Sequence, residues 1–260
     1  DYANHKQLYT SITTNALTLP HKAEQLVEAG LNDIFISLDG PQDIHNHIRG
    51  HKSSFQRAIK GIEALLSHDN HPEIGVFCVI TEWNIGHLKA FVDFFKDFPL
   101  KHLGFMHTNF TPQSVADIHN TVYHDSYPAT DSNVDEIDIS QMDMDILWQE
   151  IAEIKSQSYK FPVTFSPEVN SHKQLLDFYH RPELLIGKKC HDAFNNIMIK
   201  SDGSVIPAHG RCYNLTIGNL YKDNLKTIWN SSTIANFRHT LNKAGGLLPA
   251  CSRCCSAFGK

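Results

Sequence analysis

The chain has 260 residues, a formal net charge of −5 and 41% apolar residues, enough for one large domain or for a domain with a smaller appendage. This charge disfavours a nucleic-acid binder, since such proteins carry basic surfaces. No apolar run reaches the length of a membrane span, and no signal sequence opens the chain. We therefore expect a soluble, cytoplasmic protein with no nucleic-acid or membrane partner.

The first part of the chain alternates short apolar runs with amphipathic stretches. Runs rich in β-branched and aromatic residues are typical of buried strands, and apolar residues three or four positions apart are typical of helices. Strands are predicted at 11–14, 34–38, 76–80 and 103–106, and helices at 20–29, 53–66 and 85–95. This alternation predicts an α/β fold with a parallel sheet covered by helices.

Polar residues follow each predicted strand. Parallel α/β folds bind ligands at the carboxyl ends of their strands, so these residues are candidates for one wall of a site. Ordinary capping of loops by the same residue types would give the same pattern. The residues are Thr13, Thr14 and Asn15, then Ser37 and Asp39, then Thr81 and Asn84, and finally His107, Thr108 and Asn109.

Residues 110–139 interrupt this rhythm with a long polar stretch. A loop of this length is typical of a lid, a substrate loop or a disordered segment. Tyr123, His124 and Tyr127 are the candidate substrate contacts within it. Regular elements are predicted again after it, with a helix at 140–157, a strand at 162–166 and a short helix at 175–179.

The character of the sequence changes at Gly187. Apolar residues on both sides of Ser201-Asp202-Gly203 predict a β-hairpin. Two short helices are predicted after it, at 225–229 and 234–241.

Five of the six cysteines lie in this last region, namely Cys190, Cys212, Cys251, Cys254 and Cys255. The two-residue spacing of Cys251 and Cys254 lets both thiolates reach one metal, and Cys190 and Cys212 flank the hairpin. Zinc and an iron–sulfur cluster both accept such ligands. Five unrelated buried thiols are the structural alternative, whereas a disulfide framework belongs to short secreted domains.

The 17 histidines invite a metal interpretation as well, especially His45, His47 and His51. They show no repeated ligand spacing, and imidazole ligands need geometry as well as number. We therefore interpret them as loop and helix-surface residues.

Taken in order, these motifs resemble the radical SAM superfamily and its carboxyl-terminal SPASM or twitch extension. The resemblance covers about residues 8–107 and 187–255. It rests on Thr13-Thr14-Asn15-Ala16, Ile36-Ser37-Leu38-Asp39-Gly40 and His45-Asn46-His47-Ile48-Arg49-Gly50, then on Cys190, Ser201-Asp202-Gly203-Ser204-Val205-Ile206-Pro207 and Pro249-Ala250-Cys251-Ser252-Arg253-Cys254. It implies a partial (β/α) barrel at 1–186, with an insertion near 110–139, and a cysteine-rich auxiliary domain at 187–260.

Two departures from the family pattern shape the expectations. The Cys-x-x-x-Cys-x-x-Cys motif that holds the SAM-binding [4Fe-4S] cluster is not in these 260 residues, so we expect a fragment that does not cleave SAM by itself. Many relatives have a cysteine where this chain has Ala208, and Cys212 is the expected substitute. One auxiliary cluster is therefore expected, not two.

The resemblance also implies residue roles. Ser37 matches a serine that contacts the SAM ribose, and Thr14 and Asn15 match the preceding strand-end contacts. Arg49 matches an arginine that would pair with the SAM carboxylate, and a structural salt bridge to Asp39 or Asp43 is its alternative role. The full set of predicted cofactor contacts is Thr14, Asn15, Ser37, Asp39, Arg49 and Asn84.

The implied function is that of a radical SAM oxidoreductase or maturase, which uses a 5′-deoxyadenosyl radical to abstract a hydrogen atom. Its partners would be a small-molecule or peptide substrate and an electron donor such as flavodoxin or ferredoxin. The auxiliary [4Fe-4S] cluster would be held by Cys190, Cys212, Cys251 and Cys254, with Cys255 as an alternative ligand. A non-catalytic zinc- or Fe-S-binding interaction module is the alternative function.

Overall fold

The computed structural model describes residues 2–135, 137–208 and 215–258. The helices are α1 Tyr2–His5, α2 Ala23–Glu28, α3 Gln42–Ile48, α4 Ser54–Leu66, α5 Leu88–Phe94, α6 Gln113–Tyr123, α7 Met144–Ser156, α8 His172–His180, α9 Asp192–Asn195, α10 Leu225–Trp229 and α11 Ser232–Lys243. The strands are β1 Ser11–Thr14, β2 Asp33–Ser37, β3 Glu73–Ile80, β4 His102–His107, β5 Val163–Ser166, β6 Ile197–Ile199, β7 Ser204–Pro207 and β8 Gly218–Asn219. No helix within these described ranges is long and apolar enough to cross a membrane.

The chain forms two compact units. The first comprises Asp1–Thr108 and Asp138–Glu168, and the second comprises Asn109–Ile137 and Val169–Lys260. The second unit thus takes in residues that the predicted division at 186/187 assigns to the barrel. That division, with its insertion near 110–139, remains a prediction.

The first unit is built around a five-stranded sheet in the order β1-β2-β3-β4-β5, with every neighbouring pair parallel. The predicted α/β class is therefore confirmed. The inner strands are apolar on both faces, as parallel sheets covered by helices require. Their side chains form much of the core, and the completely buried ones are Ile34, Ile36, Val76, Cys78, Ile80, Leu103 and Phe105.

Parallel register brings the carboxyl ends of these strands to one edge of the sheet. Thr14 lies opposite Ile36, and Ser37 opposite Phe77. The connection after each strand therefore begins at that edge, where the predicted polar residues lie. We call it the carboxyl edge.

The second unit contains an antiparallel sheet in the order β6-β7-β8. The predicted hairpin forms its first two strands, and Gly203 in the turn has φ +77°, a conformation that glycine adopts without strain. Its core is apolar and draws on the sheet, α10 and α11. The most buried members are Val205, Ile228, Ile234, Phe237, Leu241 and Leu248.

The stretch 110–139 contains a helix that we did not predict. Residues Gln113–Tyr123 form α6, in which Val115, Ala116 and His119 are buried. Polar residues dominate the stretch, so its short apolar stripe did not stand out from the sequence. The prediction of one long loop is wrong for this part.

Candidate active site and cysteine region

The end of β1 forms a tight turn at the carboxyl edge. Thr14 Oγ1 accepts the backbone N–H of Ala16 at 3.0 Å, and Asn15 Oδ1 accepts that of Leu17 at 3.2 Å. Ala16 is buried and has φ +58°, a left-handed conformation that is strained for alanine. Such strain is often found at functional sites. Thr14 and Asn15 thus hold the turn by their oxygen atoms, and the Asn15 amide group is exposed.

A small pocket adjoins this turn. Its volume is about 200 Å³, and Thr14 lies in its wall together with residues of β1 and α2. The lining is Ile12, Thr14, Thr18, Leu19, Lys22, Gln25 and Leu26.

At the end of β2, Ser37 is half-buried. Asp39 follows, and it is buried with 5% of its surface exposed. Arg49, just after α3, donates from Nε to Asp39 Oδ2 at 2.6 Å and from Nη2 to Oδ1 at 3.1 Å. Burial alone would raise the pKa of Asp39, but a His45 hydrogen bond and the Arg49 guanidinium outweigh it and lower that pKa.

This ion pair does not use up Arg49. A guanidinium has five N–H donors, and two of them serve the bidentate contact with Asp39. The Arg49 side chain keeps 36% of its surface exposed. Arg49 can therefore pair with Asp39 and bind a second carboxylate at the same time, so the two alternative roles are compatible.

His45 holds Asp39 in place from within the core. It is completely buried, its Nδ1 accepts the Asp39 backbone N–H at 3.0 Å, and its Nε2 lies 2.9 Å from Ser54 Oγ. The interpretation of His45 as a surface residue is wrong, because α3 turns it toward α4. Its place one helical turn before Arg49 was the only sequence signal for this role.

Asn84 links the ends of β2 and β3. Its Nδ2 donates to Asp39 O at 2.9 Å and to Val79 O at 2.7 Å, and its Oδ1 accepts Thr81 N–H at 2.9 Å. The amide has two N–H donors, and both are used. Because Asn84 is also completely buried, the structure gives it the role of fixing Asp39 and leaves no donor for a ligand.

The end of β4 carries a buried histidine. Burial, with a smaller effect of Lys155, lowers the pKa of His107 to about 3, so the ring is neutral at physiological pH. Thr108 next to it donates its hydroxyl to Ile80 O at 2.8 Å. Both residues are buried, and the Thr108 hydroxyl links the end of β4 to the end of β3.

In the second unit, the cysteines lie on two stretches, which we call the first cysteine segment (residues 190–195) and the second cysteine segment (residues 248–258). Cys190 precedes α9, and the backbone N–H groups of Ala193 and Asp192 act to lower the pKa of its thiol. Burial nevertheless raises the pKa of this thiol. Ser256 donates to Asp192 Oδ2 at 2.6 Å and so connects the two segments.

Cys251, Cys254 and Cys255 lie on the second cysteine segment. Cys251 is buried, and its sulfur accepts Leu248 N–H at 3.4 Å. The hydrogen bond between the adjacent thiols lowers the pKa of Cys255 to about 7, and together with burial it raises the pKa of Cys254. The charge of Cys254 also contributes to the raised pKa of Cys190.

The predicted ligand set is only partly visible. Cys212 lies outside the described residues. Among the residues that are described, no three His, Cys, Asp or Glu side chains converge as metal ligands. The structure thus keeps all four described thiols of the region in one unit, and the bond between Ser256 and Asp192 links the two segments that carry them.

The candidate substrate contacts of the 110–139 stretch have different surroundings. Tyr127 is buried, and its ring packs against Phe237 at a centroid distance of 5.3 Å. Tyr123 packs on the same core, whereas His124 is exposed. Tyr127 is therefore a core residue of the second unit.

Two stretches of the chain match models of known protein families. Residues 2–95 match the radical SAM superfamily model, and residues 190–255 match the SPASM model, which describes an iron–sulfur cluster-binding domain. A curated relative is the Fe-coproporphyrin III synthase of Methanosarcina barkeri (strain Fusaro / DSM 804). It is 26% identical over 107 residues, which cover 41% of this chain and 26% of the synthase.

Similar solved structures share the fold. Native anSMEcpe with bound AdoMet has a TM-score of 0.53 and 18% identity, over 90% of this chain and 60% of that protein. Streptococcus suis SuiB has a TM-score of 0.59 and 14% identity, over 97% of this chain and 56% of SuiB. SuiB bound to its precursor peptide SuiA gives a TM-score of 0.58 and 14% identity, over 97% of this chain and 55% of SuiB.

The chain thus spans between 55% and 60% of the length of these solved proteins and 26% of the synthase. The two family matches nevertheless fall on the two regions that carry the motifs. The chain therefore combines a region that is similar to the radical SAM superfamily with a region that is similar to the SPASM iron–sulfur cluster-binding domain. Such domains use S-adenosylmethionine and [4Fe-4S] clusters.

Proposed function

We propose that the protein is part of a radical SAM enzyme, an oxidoreductase or maturase that acts on a peptide. Arg49 carries this proposal, because it is held by a buried carboxylate and still has free donors at the carboxyl edge. Arginine pairs with carboxylates in a bidentate manner, and SAM has one such group.

The residues at the carboxyl edge fit SAM in their chemistry. Arg49 would bind the carboxylate of SAM, and the hydroxyl of Ser37 would bind the ribose. Thr14 and Asn15 would line the neighbouring wall. Asp39 and Asn84 act through Arg49: Asp39 fixes the guanidinium, and Asn84 fixes Asp39. When bound and given one electron, SAM supplies methionine and a 5′-deoxyadenosyl radical that takes a hydrogen atom from the substrate.

The thiols of the second unit fit an iron–sulfur cluster in donor type, since such clusters are held by cysteine. We assign Cys190, Cys251 and Cys254 as ligands, Cys212 as the fourth and Cys255 as the alternative. The backbone N–H groups of Ala193 and Asp192, which act to lower the pKa of Cys190, would favour a thiolate ligand there. The auxiliary cluster would exchange electrons with the substrate or with a flavodoxin- or ferredoxin-like donor.

A peptide is the favoured substrate class. Peptides are bound in similar solved structures of two proteins, for example anSMEcpe with the Cp18Cys peptide and SuiB with SuiA. Identity is 18% to the first and 14% to the second, so the peptide is a proposal for this chain and not a transfer of activity.

Metal analysis tests the auxiliary cluster. Anaerobically purified and reconstituted protein should contain iron and sulfide and absorb in the visible range. Cys190→Ala should lose most of this iron, and Cys78→Ala should keep it, because Cys78 is a core thiol of the first unit. Zinc alone, with no brown colour, would reject the iron–sulfur cluster in favour of a zinc-binding interaction module.

We also propose that these 260 residues do not cleave SAM by themselves, because they lack the Cys-x-x-x-Cys-x-x-Cys motif. The reduced, reconstituted chain should produce no 5′-deoxyadenosine above a control without protein. Detection of that product would contradict the proposal.

A further inference from the structure

Arg253 lies between two proposed ligands, Cys251 and Cys254, and only 1% of its surface is exposed. All of its donor nitrogens are bonded to backbone carbonyl oxygens. The contacts are Nε to Phe178 at 2.5 Å, Nη1 to Leu184 and to Ser252 at 2.8 Å each, and Nη2 to Asp177 at 2.8 Å and to Arg181 at 2.7 Å.

These contacts satisfy the end of a helix. The last carbonyl groups of a helix have no partner within it, and a cation near them is favourable. Asp177 and Phe178 belong to the last turn of α8, and Arg181 and Leu184 follow it. Arg253 also lies over the Phe178 ring, 5.0 Å from its centroid. The guanidinium therefore fixes the second cysteine segment to the end of α8.

The other side of this segment is fixed as well. His119 of α6 accepts Ala250 N–H on Nδ1 at 3.3 Å, and its Nε2 lies 2.7 Å from Tyr127 O. Cys251 N–H is bonded to Leu248 O at 2.8 Å, and Cys254 N–H to Cys251 O at 3.1 Å. The turn that carries both proposed ligands is thus held on two sides.

Burial of a charged group is costly unless it is fully hydrogen-bonded, and here five N–H donors meet five carbonyls. A well-packed apolar side chain would stabilise a turn at lower cost. What the guanidinium adds is geometry, because its planar fork fixes several acceptors at once. Ligands that are ordered before binding lose less conformational entropy when the metal arrives.

We propose that Arg253 is a positioning residue that sets Cys251 and Cys254 in their metal-binding arrangement before the metal binds. The identity of the metal, an iron–sulfur cluster, is taken from the proposed function. The order of the turn rests instead on the hydrogen bonds of Arg253 and His119, whatever the metal is.

Thiol alkylation of the metal-free chain tests this order directly. Arg253→Lys keeps the positive charge and most of the volume but loses the planar fork. Iodoacetamide labelling, read by peptide mass spectrometry, should be about tenfold faster at Cys251 and Cys254 in this variant. Labelling of Cys78, in the first unit, should be unchanged and serves as an internal control.

A matched control separates positioning from general stability. Ile228 is buried in the core of the second unit, so Ile228→Val and Ile228→Ala lower stability by graded amounts without touching Arg253. The comparison uses the Ile228 variant whose melting temperature equals that of Arg253→Lys. This Ile228 variant should keep wild-type labelling rates and wild-type iron content, whereas Arg253→Lys should not. Equal labelling in both sets would show that Arg253 is merely structural.

Hydrogen exchange of the wild-type chain covers the case in which Arg253→Lys does not fold. The N–H groups of Cys251 and Cys254 should be protected without metal, and fast exchange there would overturn the proposal. Absence of iron from the wild-type chain would instead reject the proposed function. Thiol labelling and hydrogen exchange would still test the role of Arg253, because neither measurement needs iron.

Discussion

At the carboxyl edge of the sheet, functional side chains hold one another, whereas in the cysteine segments backbone groups and a buried arginine hold the turns. Asp39 is contacted by Arg49 and His45, and its backbone carbonyl by Asn84. In the second unit, Cys251 Sγ accepts the Leu248 backbone N–H, and Arg253 donates to backbone carbonyls. The carboxyl edge is therefore ordered mainly by bonds that its side chains make with one another, and the cysteine segments mainly by bonds to the backbone.

This difference has a physical reason. A site for an organic molecule needs fixed donors and acceptors, and fixed polar groups in a buried place must bond to one another. Thiols that await a metal must stay free to deprotonate, so the order has to reside in the turns that carry them. Replacing edge residues should therefore lower stability, and replacing thiols should lower metal content.

Asn84→Ala should have the largest effect. It removes the partners of the Asp39 and Val79 carbonyls and of the Thr81 N–H, all at the carboxyl edge. Unsatisfied buried groups are expensive, so the free energy of unfolding should fall by about 3 kcal/mol, measured by urea denaturation.

Asn70→Ala is the matched control. Asn70 is exposed in a loop of the same unit, and its replacement should change the free energy of unfolding by less than about 0.5 kcal/mol. Similar losses for Asn70 and Asn84 would show that the edge is not a specially ordered part of the first unit.

Asp39→Asn should have the next largest effect. Loss of the charge-assisted contacts to Arg49 should lower the free energy of unfolding by about 2 kcal/mol at pH 7. The pKa of Asp39 is lower in the folded state, so its contribution is complete above the unfolded-state pKa of about 4. As the pH falls through the folded-state pKa, wild type and variant should converge.

Asp43→Asn separates the two carboxylates that the sequence offered to Arg49. Asp43 is exposed, while Asp39 makes the bidentate contact. The free energy of unfolding of Asp43→Asn should therefore stay within about 0.5 kcal/mol of wild type at every pH. A loss that matches Asp39→Asn would contradict the assignment of the ion pair.

Local pattern was enough to predict the carboxyl edge. Apolar strands with polar residues at their ends define the sheet, and the parallel register then brings Thr14, Ser37 and Asp39 to one side. The hairpin followed from its turn residues in the same way. These features depend on neighbours in the sequence, which is why the sequence predicts them.

Contacts between distant elements could not be predicted in this way. Glu150 of α7 accepts the N–H groups of Gly86 and Leu88 at 2.6 and 2.8 Å and so caps the start of α5, 62 residues away. Arg253 likewise bonds to carbonyls 75 and 76 residues earlier in the chain. A buried acidic or basic residue in a polar context has no period or spacing that distinguishes it from a surface charge.

The last test asks which of two adjacent thiols is the ligand. Cys251 and Cys254 have the two-residue spacing that lets both thiolates reach one metal. Cys254→Ala should therefore remove most of the iron from the reconstituted chain, and Cys255→Ala should retain it. Neither change should alter the stability of the metal-free chain by more than about 1 kcal/mol, since both thiols are only partly buried.

Iron analysis and urea denaturation of the two variants decide between the thiols. Iron loss on Cys255→Ala alone would make Cys255 the ligand, with Cys254 as the reserve. A large fall in metal-free stability for Cys254→Ala would show that the thiol orders the turn. In that case the contrast between an edge held by its own side chains and a turn held by Arg253 would fail, because the ligand would serve both purposes.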